Sequence, residues 1–199
     1  MPKIILASES PRRSELLRCI GIDFIKHPAS VDEEFYSHEN PEEVVKRLAS
    51  NKAENVADQY SKGIVVAADT VVVLGRKILG KPADENEAHA MLSMLSGKKH
   101  QVITGVCVKD IGKNIKIVEA ELTNVYFRTL EEEEIWYYIK TGEPMDKAGA
   151  YGIQGLGALL VEKIEGCYFN VVGLPLNRLN KMFKVLGLNI LGGEGFGGV

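Results

Sequence analysis

The chain has 199 residues, 45% of them hydrophobic and 26% charged, which suffices for one sizeable core or for two small lobes sharing one sheet. A net charge of −3 supplies no basic face for a nucleic-acid backbone, so nucleic acid is excluded as a partner. Cys19, Cys107 and Cys167 lie far apart with no CxxC spacing, which excludes a disulfide framework and a cysteine zinc site.

In chain order, residues 3–7 read as a short buried strand. Ser8-Glu9-Ser10-Pro11-Arg12-Arg13 follows, then the apolar spacing Leu16, Leu17, Ile20. Ser10 is an N-cap, Pro11 a first-turn residue and Gly21 a stop, so the order is strand, polar loop, helix. That order sets Ser8, Arg12 and Arg13 near a helix N-terminus, where backbone N–H groups favour an anion and Arg offers forked donors. Adjacent arginines on a first turn are equally ordinary solvated charge. Residues 22–27 form a second strand. An acidic loop, Val31-Asp32-Glu33-Glu34-Phe35, comes next, either solvated or supplying the oxygen ligands that Mg²⁺ takes. Asn40-Pro41-Glu42-Glu43 is a capping box opening a helix that runs to about Tyr60. Lys52 falls on that helix's apolar stripe of Val45, Leu48, Ala49 and Val56, where a lysine either snorkels to water or faces a charged site.

Residues 63–74 are a β-branched, nearly unbroken apolar run, the pattern of a strand covered on both faces. Asp69 and Thr70 interrupt it, and a carboxylate there is costly unless paired, hydrogen-bonded or metal-bound. Gly75-Arg76 turns the chain into Lys77-Ile78-Leu79, and Lys81 arrives just after this return limb. Asp84 with Glu87 caps a helix carrying Ala88, Met91, Leu92 and Leu95. Strands over 101–108 and 115–128 follow, joined at Gly112-Lys113-Asn114, and Thr129 with Glu132 opens a helix through Lys140. His100, with no nucleophile to activate, reads as structural. Residues 142–155 are a glycine-punctuated loop carrying Asp146, Lys147, Tyr151 and Gln154. The glycines either admit a ligand to the backbone or close a tight loop, and a Gln amide can read a base edge. Strands over 158–164 and 168–172 and a closing helix with Leu176, Leu179, Met182, Phe183 and Leu186 complete the reading. Residues 1–190 are expected to form a single domain, with a flexible glycine-rich tail over 191–199. No run approaches the roughly 18 apolar residues of a membrane span. The first apolar run is too short for a signal peptide, so a cytoplasmic protein is expected.

Eight blocks in order resemble the Maf family of nucleoside triphosphate pyrophosphatases. They include Leu6-Ala7-Ser8-Glu9-Ser10-Pro11-Arg12-Arg13, Val31-Asp32-Glu33, Lys52-Ala53, Ala68-Asp69-Thr70-Val71-Val72 and Gly80-Lys81-Pro82. Asp146-Lys147-Ala148-Gly149-Ala150-Tyr151-Gly152-Ile153-Gln154-Gly155 and Val171-Val172-Gly173-Leu174-Pro175 continue the match. The resemblance implies an α/β fold like that of inosine triphosphate pyrophosphatases, with a long curved mixed sheet flanked by helices, two lobes, a central cleft and a homodimer. It implies hydrolysis of a nucleoside triphosphate to monophosphate and pyrophosphate with Mg²⁺ or Mn²⁺. Asp69 matches the proton acceptor, with Lys52 and Lys81 beside it in catalysis. Glu33 and Asp69 would hold the metal. Ser8, Arg12, Arg13, Thr70, Asp146, Lys147 and Gln154 would bind substrate. Arg12, Thr70 and Gln154 match the dTTP/UTP branch at the three positions that separate it from the 7-methyl-GTP branch. The alternatives are that latter activity and a non-enzymatic nucleotide-binding regulator of septum formation.

Overall fold

The computed structural model describes residues 2–32, 34 and 39–192. In chain order its strands and α-helices are β1 (Ile4–Leu6), α1 (Pro11–Cys19), β2 (Phe24–Lys26), α2 (Pro41–Ala57), β3 (Ile64–Leu74), β4 (Lys77–Leu79), α3 (Glu85–Leu95), β5 (Lys99–Asp110), β6 (Ile115–Phe127), α4 (Glu132–Lys140), β7 (Val161–Glu165), α5 (Tyr168–Val172) and α6 (Leu176–Val185). The seven strands make one mixed sheet in the order β2-β1-β3-β5-β6-β7, with β4 paired to β3. β1 is parallel to β2 and to β3, whereas β4 is antiparallel to β3 and β7 to β6. This is the expected α/β class.

The helix starts follow from local chemistry. Ser10 Oγ accepts from Arg13 N, Asn40 Oδ1 from Glu42 N, and Asp84 Oδ1 from Glu87 N, each satisfying a backbone donor with no partner inside its helix. By contact density the chain divides into two compact units. One comprises Met1–Asp69, Thr104–Glu121 and Gly173–Val199; the other comprises Thr70–Ile103 and Leu122–Val172.

In the first unit, Ala49, Ala53, Val56 and Ala57 of α2 pack on Ile5 of β1, Val65 and Ala67 of β3 and Cys107 of β5. Small residues let the helix lie close to the sheet. The tightest approach is at Gly105, where a Cβ would sit 2.3 Å from the Val45 carbonyl oxygen. In the second unit, Leu79, Ala88, Leu92, Leu95, Val125, Phe127, Ile135 and Ile139 form the core around α3 and α4.

Three expectations need correction. Residues 168–172 form the short helix α5, not a strand. Asn170 is fully buried there and donates to Val102 O at 3.0 Å and to Thr123 Oγ1 at 2.9 Å, and Cys167 N donates to the same hydroxyl at 3.0 Å. These tertiary bonds override the strand preference of Val171 and Val172. The expected strand over 158–164 begins only at Val161, because Gly155–Leu160 is a 3₁₀ helix. Helix α4 is capped by Glu131 and Glu134 in a reciprocal box, two residues later than Thr129 and Glu132. The proposed tail falls largely on residues 193–199, outside the described residues; Ile190–Gly192 is a 3₁₀ turn.

Candidate active site

In an open parallel sheet, ligands bind beyond the carboxyl ends of the strands, where the strand order reverses. The order β2-β1-β3 places that reversal at β1 and β3. Leu6 pairs with Val66, so Ser8 lies two residues past the end of β1. Asp69 lies three residues past Val66, about 10 Å further along β3 at the usual rise. Both are buried, at 6% and 7% exposure.

Strand alternation puts Asp69 on the same face as Val65 and Ala67, the face that α2 covers. Lys52 follows Leu48 and Ala49 at helical spacing and is itself buried. Its Nζ lies 2.6 Å from Asp69 Oδ1, and the two side chains are each only 9% exposed. Of the two sequence readings of Lys52, snorkelling is therefore wrong: the ammonium faces a charge inside the fold.

The loop after β1 is tied in place by its own polar groups. Ser10 N and Arg13 Nη1 both donate to Ser8 Oγ at 3.2 Å, and Arg13 Nε donates to Gly173 O at 2.8 Å. Arg13 thus braces Ser8 against the Gly173-Leu174-Pro175 turn, which explains in part why that block accompanies the loop. Arg12 is half-buried on the first turn of α1. Glu33, the expected second metal ligand, lies outside the described residues. The flanks of its loop are held to α2, since Arg47 Nη2 donates to Glu34 O at 3.3 Å and to the Glu39 carboxylate at 3.0 Å. Among the described residues no group of three His, Cys, Asp or Glu side chains is arranged to hold a metal.

The second unit carries the remaining candidates. Thr70 follows Asp69 on β3 and is half-buried. Lys81 is exposed, and Gly80 O just before it accepts from Gly149 N at 2.9 Å, which joins the end of the hairpin to the 3₁₀ turn Ala148–Ala150. Lys147 Nζ is held by Glu143 O and by Asp146 Oδ1, the latter at 2.8 Å. Gln154 is the N-cap of Gly155–Leu160, and its side chain makes no capping bond.

The glycines of this loop serve packing, three within the loop and Gly149 against β3. A Cβ on Gly149 would lie 2.9 Å from Val72 Cβ, one on Gly152 2.8 Å from Lys147 Cε, one on Gly155 2.7 Å from Glu143 Oε2, and one on Gly157 2.2 Å from Gly152 O. The tight-loop reading accounts for the three, and packing on β3 for Gly149.

The sequence reading missed Glu143. Its carboxylate accepts from Tyr138 Oη at 2.9 Å, Leu156 N at 3.0 Å and Gly157 N at 3.1 Å. Burial opposes its ionisation, but those donors and Lys147 hold the carboxyl below its usual range. The only signal in the sequence is a carboxylate at the entrance to a glycine-rich loop. Two buried tyrosines complete the frame. Tyr138 Oη accepts from Gly152 N at 3.3 Å, and Tyr151 Oη lies 2.7 Å from His100 Nε2. Burial depresses the His100 imidazole to about 4, so it is neutral near pH 7. His100 is structural, as expected.

The profile of the family described as Maf-like protein matches residues 3–186. A protein of Syntrophomonas wolfei subsp. wolfei named dTTP/UTP pyrophosphatase is 54% identical over 189 residues, 95% of this chain and 100% of its own. Proteins of the same name from Caldicellulosiruptor saccharolyticus and Clostridioides difficile are 48% and 50% identical. They cover 98% and 91% of this chain and 100% and 93% of their own. Among solved structures, the Ham1 protein of Staphylococcus aureus overlays with a TM-score of 0.45 at 15% identity, over 63% of this chain and 71% of that one, a likeness too partial to carry weight.

Proposed function

Because the chain belongs to the Maf-like family, we propose that it hydrolyses dTTP and UTP to the nucleoside monophosphate and pyrophosphate. The substrate pair is the one in the names of its relatives. The observation that carries the chemistry is the buried Lys52–Asp69 contact at 2.6 Å, on the stretch of β3 that runs on past the carboxyl end of its parallel neighbour β1.

In this reading Asp69 accepts a proton from the water that attacks the α-phosphorus, and the bond to the bridging oxygen of the β-phosphate breaks, so pyrophosphate leaves. Lys52 fixes the orientation of the Asp69 side chain in the resting site and shares its charge with a phosphate oxygen when substrate binds. Ser8, braced by Arg13, offers its hydroxyl to the phosphates. Arg13 and Lys81 neutralise the triphosphate, and preorganised cations of this kind stabilise charge where it develops. Gln154 reads the pyrimidine imide, with Arg12 and Thr70 completing the specificity set. Asp146 and Lys147 support that loop through their mutual ion pair.

The donor chemistry fits Mg²⁺ or Mn²⁺. Only Oδ1 of Asp69 is engaged by Lys52, and Mg²⁺ takes one or two carboxylates and completes its shell with phosphate oxygens and water. Asp69 and Glu33 would hold it. When bound it supplies positive charge to the phosphates and lowers the pKa of a bound water.

No helix among the described residues is long and apolar enough to cross a membrane. The reading is of a cytoplasmic homodimer acting on free nucleotides, with neither nucleic acid nor membrane as partner. A nucleotide panel tests the reading. Pyrophosphate release should be fastest with dTTP and UTP and should stop with EDTA. Full activity without metal, release of orthophosphate first, or a preference for guanine nucleotides would refute it.

A further inference from the structure

The 3₁₀ helix Gly155–Leu160 begins at Gln154, and the first backbone N–H groups of such a turn have no partner inside it. A side chain at the N-cap ordinarily accepts from them. Here the N-cap side chain makes no such bond. The N–H groups of Leu156 and Gly157 point instead at the two oxygens of Glu143, at 3.0 and 3.1 Å, from a residue eleven positions before the N-cap in the sequence. Tyr138 Oη holds the same carboxylate at 2.9 Å and also receives Gly152 N at 3.3 Å, so both flanks of Gln154 hang on one hydrogen-bonded knot. The knot leaves no room at its centre: any side chain at Gly155 would meet the Glu143 carboxylate.

We infer that Glu143 is the positioning residue for the base-reading amide of Gln154, capping the turn from a distance so that the Gln154 side chain is released to the nucleotide. The inference rests on the reading of Gln154 as the residue that recognises the pyrimidine. If Glu143 loses its charge, the N–H groups of Leu156 and Gly157 face an amide that both donates and accepts, and they compete for the Gln154 amide oxygen. Selectivity then falls because the amide is drawn onto its own backbone, while the phosphate-binding groups remain as they were.

The test is a set of kcat/KM values for UTP and CTP on wild type, Glu143→Gln, Tyr138→Phe, Gln154→Ala and the double variant Glu143→Gln/Gln154→Ala. The folded fraction of each is checked by circular dichroism. In wild type the UTP:CTP ratio should be at least about tenfold. In Glu143→Gln it should drop below about threefold, mainly through a raised KM for UTP. Adding Glu143→Gln to Gln154→Ala should change the ratio no further, because the two act through one contact. A proportional loss with both nucleotides would make Glu143 merely structural and overturn the inference. So would an intact ratio in Glu143→Gln beside a flattened one in Gln154→Ala, which leaves the base-reading role standing. An intact ratio in Gln154→Ala would remove the base-reading role itself, and the inference with it. Should Glu143→Gln fail to fold, Tyr138→Phe, which removes one donor to the carboxylate, decides the matter: a fall of about twofold or more in the ratio is expected, and an unchanged ratio overturns the inference.

Discussion

Replacing Lys52 with Met keeps the length and the apolar stem on α2 but strands Asp69 inside the fold. With both side chains 9% exposed and 2.6 Å apart, this is a buried pair. Breaking such a pair by removing one partner costs about 3–5 kcal/mol, because the remaining charge keeps its desolvation cost without its counter-charge. For a chain of this length that corresponds to a fall of roughly 6–20 °C in Tm. Adding Asp69→Asn removes the stranded charge and leaves an incompletely bonded amide, which costs about 1–3 kcal/mol. Asp69→Asn should therefore destabilise the wild type, where it removes the counter-charge 2.6 Å from the ammonium, yet stabilise Lys52→Met. The coupling between the two sites should reach about 3 kcal/mol, the upper end for neighbouring residues. Urea unfolding of all four proteins, followed by circular dichroism with EDTA present, measures it. If Lys52→Met unfolds with wild-type stability, or if the two changes simply add, the charges are not paired in the folded protein and the account of the site's centre fails.

Asp69→Asn should lower turnover of UTP by about two to four orders of magnitude, the scale for a general base, when assayed by pyrophosphate release; near-normal turnover would return Asp69 to a structural role. The His100 imidazole is depressed from 6.5 to about 4 in the folded chain, so the unfolded chain takes up a proton first as pH falls. Its contribution is therefore whole above pH 6.5 and is lost as pH drops towards 4, by about 3 kcal/mol over that window. The slope of unfolding free energy against pH in that range should flatten in His100→Gln, and an equal slope would contradict the burial argument. Gly105→Ala places a Cβ 2.3 Å from Val45 O and should cost about 1–3 kcal/mol, at the upper end of that range, in urea unfolding as α2 is pushed off the sheet. Gln154→Glu presents an acceptor and a negative charge where a donor is needed, and should erode the UTP:CTP ratio with little change in Tm.

Where the sequence spoke clearly, the signal was local. Ser10, Asn40 and Asp84 mark helix starts because a cap is chemistry within three residues, and the apolar run before Asp69 reads as a doubly covered strand because each residue carries its own preference. Residues 168–172 misled for the converse reason. Tyr168, Phe169, Val171 and Val172 favour a strand individually, but the partners that make α5 a helix, Val102 O and Thr123 Oγ1, lie 68 and 47 residues before Asn170. The site divides the same way. Ser8, Arg13, Lys52, Asp69 and Gln154 stand out as polar groups in apolar or glycine-rich settings. Whether Lys52 reaches water or Asp69 depends on how α2 lies on β3, which no spacing within α2 encodes. Glu143 was invisible because its partners are backbone N–H groups, which every sequence possesses equally.

The glycine-rich loop has a consequence for mutational tolerance. Positions 149, 152, 155 and 157 are each closed by a neighbour less than 3 Å from where a Cβ would go, whereas Gln154 is half-exposed with a side chain that holds nothing up. A saturation library across this stretch should therefore give a comb, with glycine retained at the four closed positions and broad acceptance at 154 when folding alone is selected. Selecting for a new nucleotide should move position 154 early, because its side chain makes no capping bond and no closed glycine contact constrains it. In the proposed reading, one member of the specificity set thus sits where the scaffold leaves residue identity open, while Arg12 and Thr70 remain to be matched to any new base.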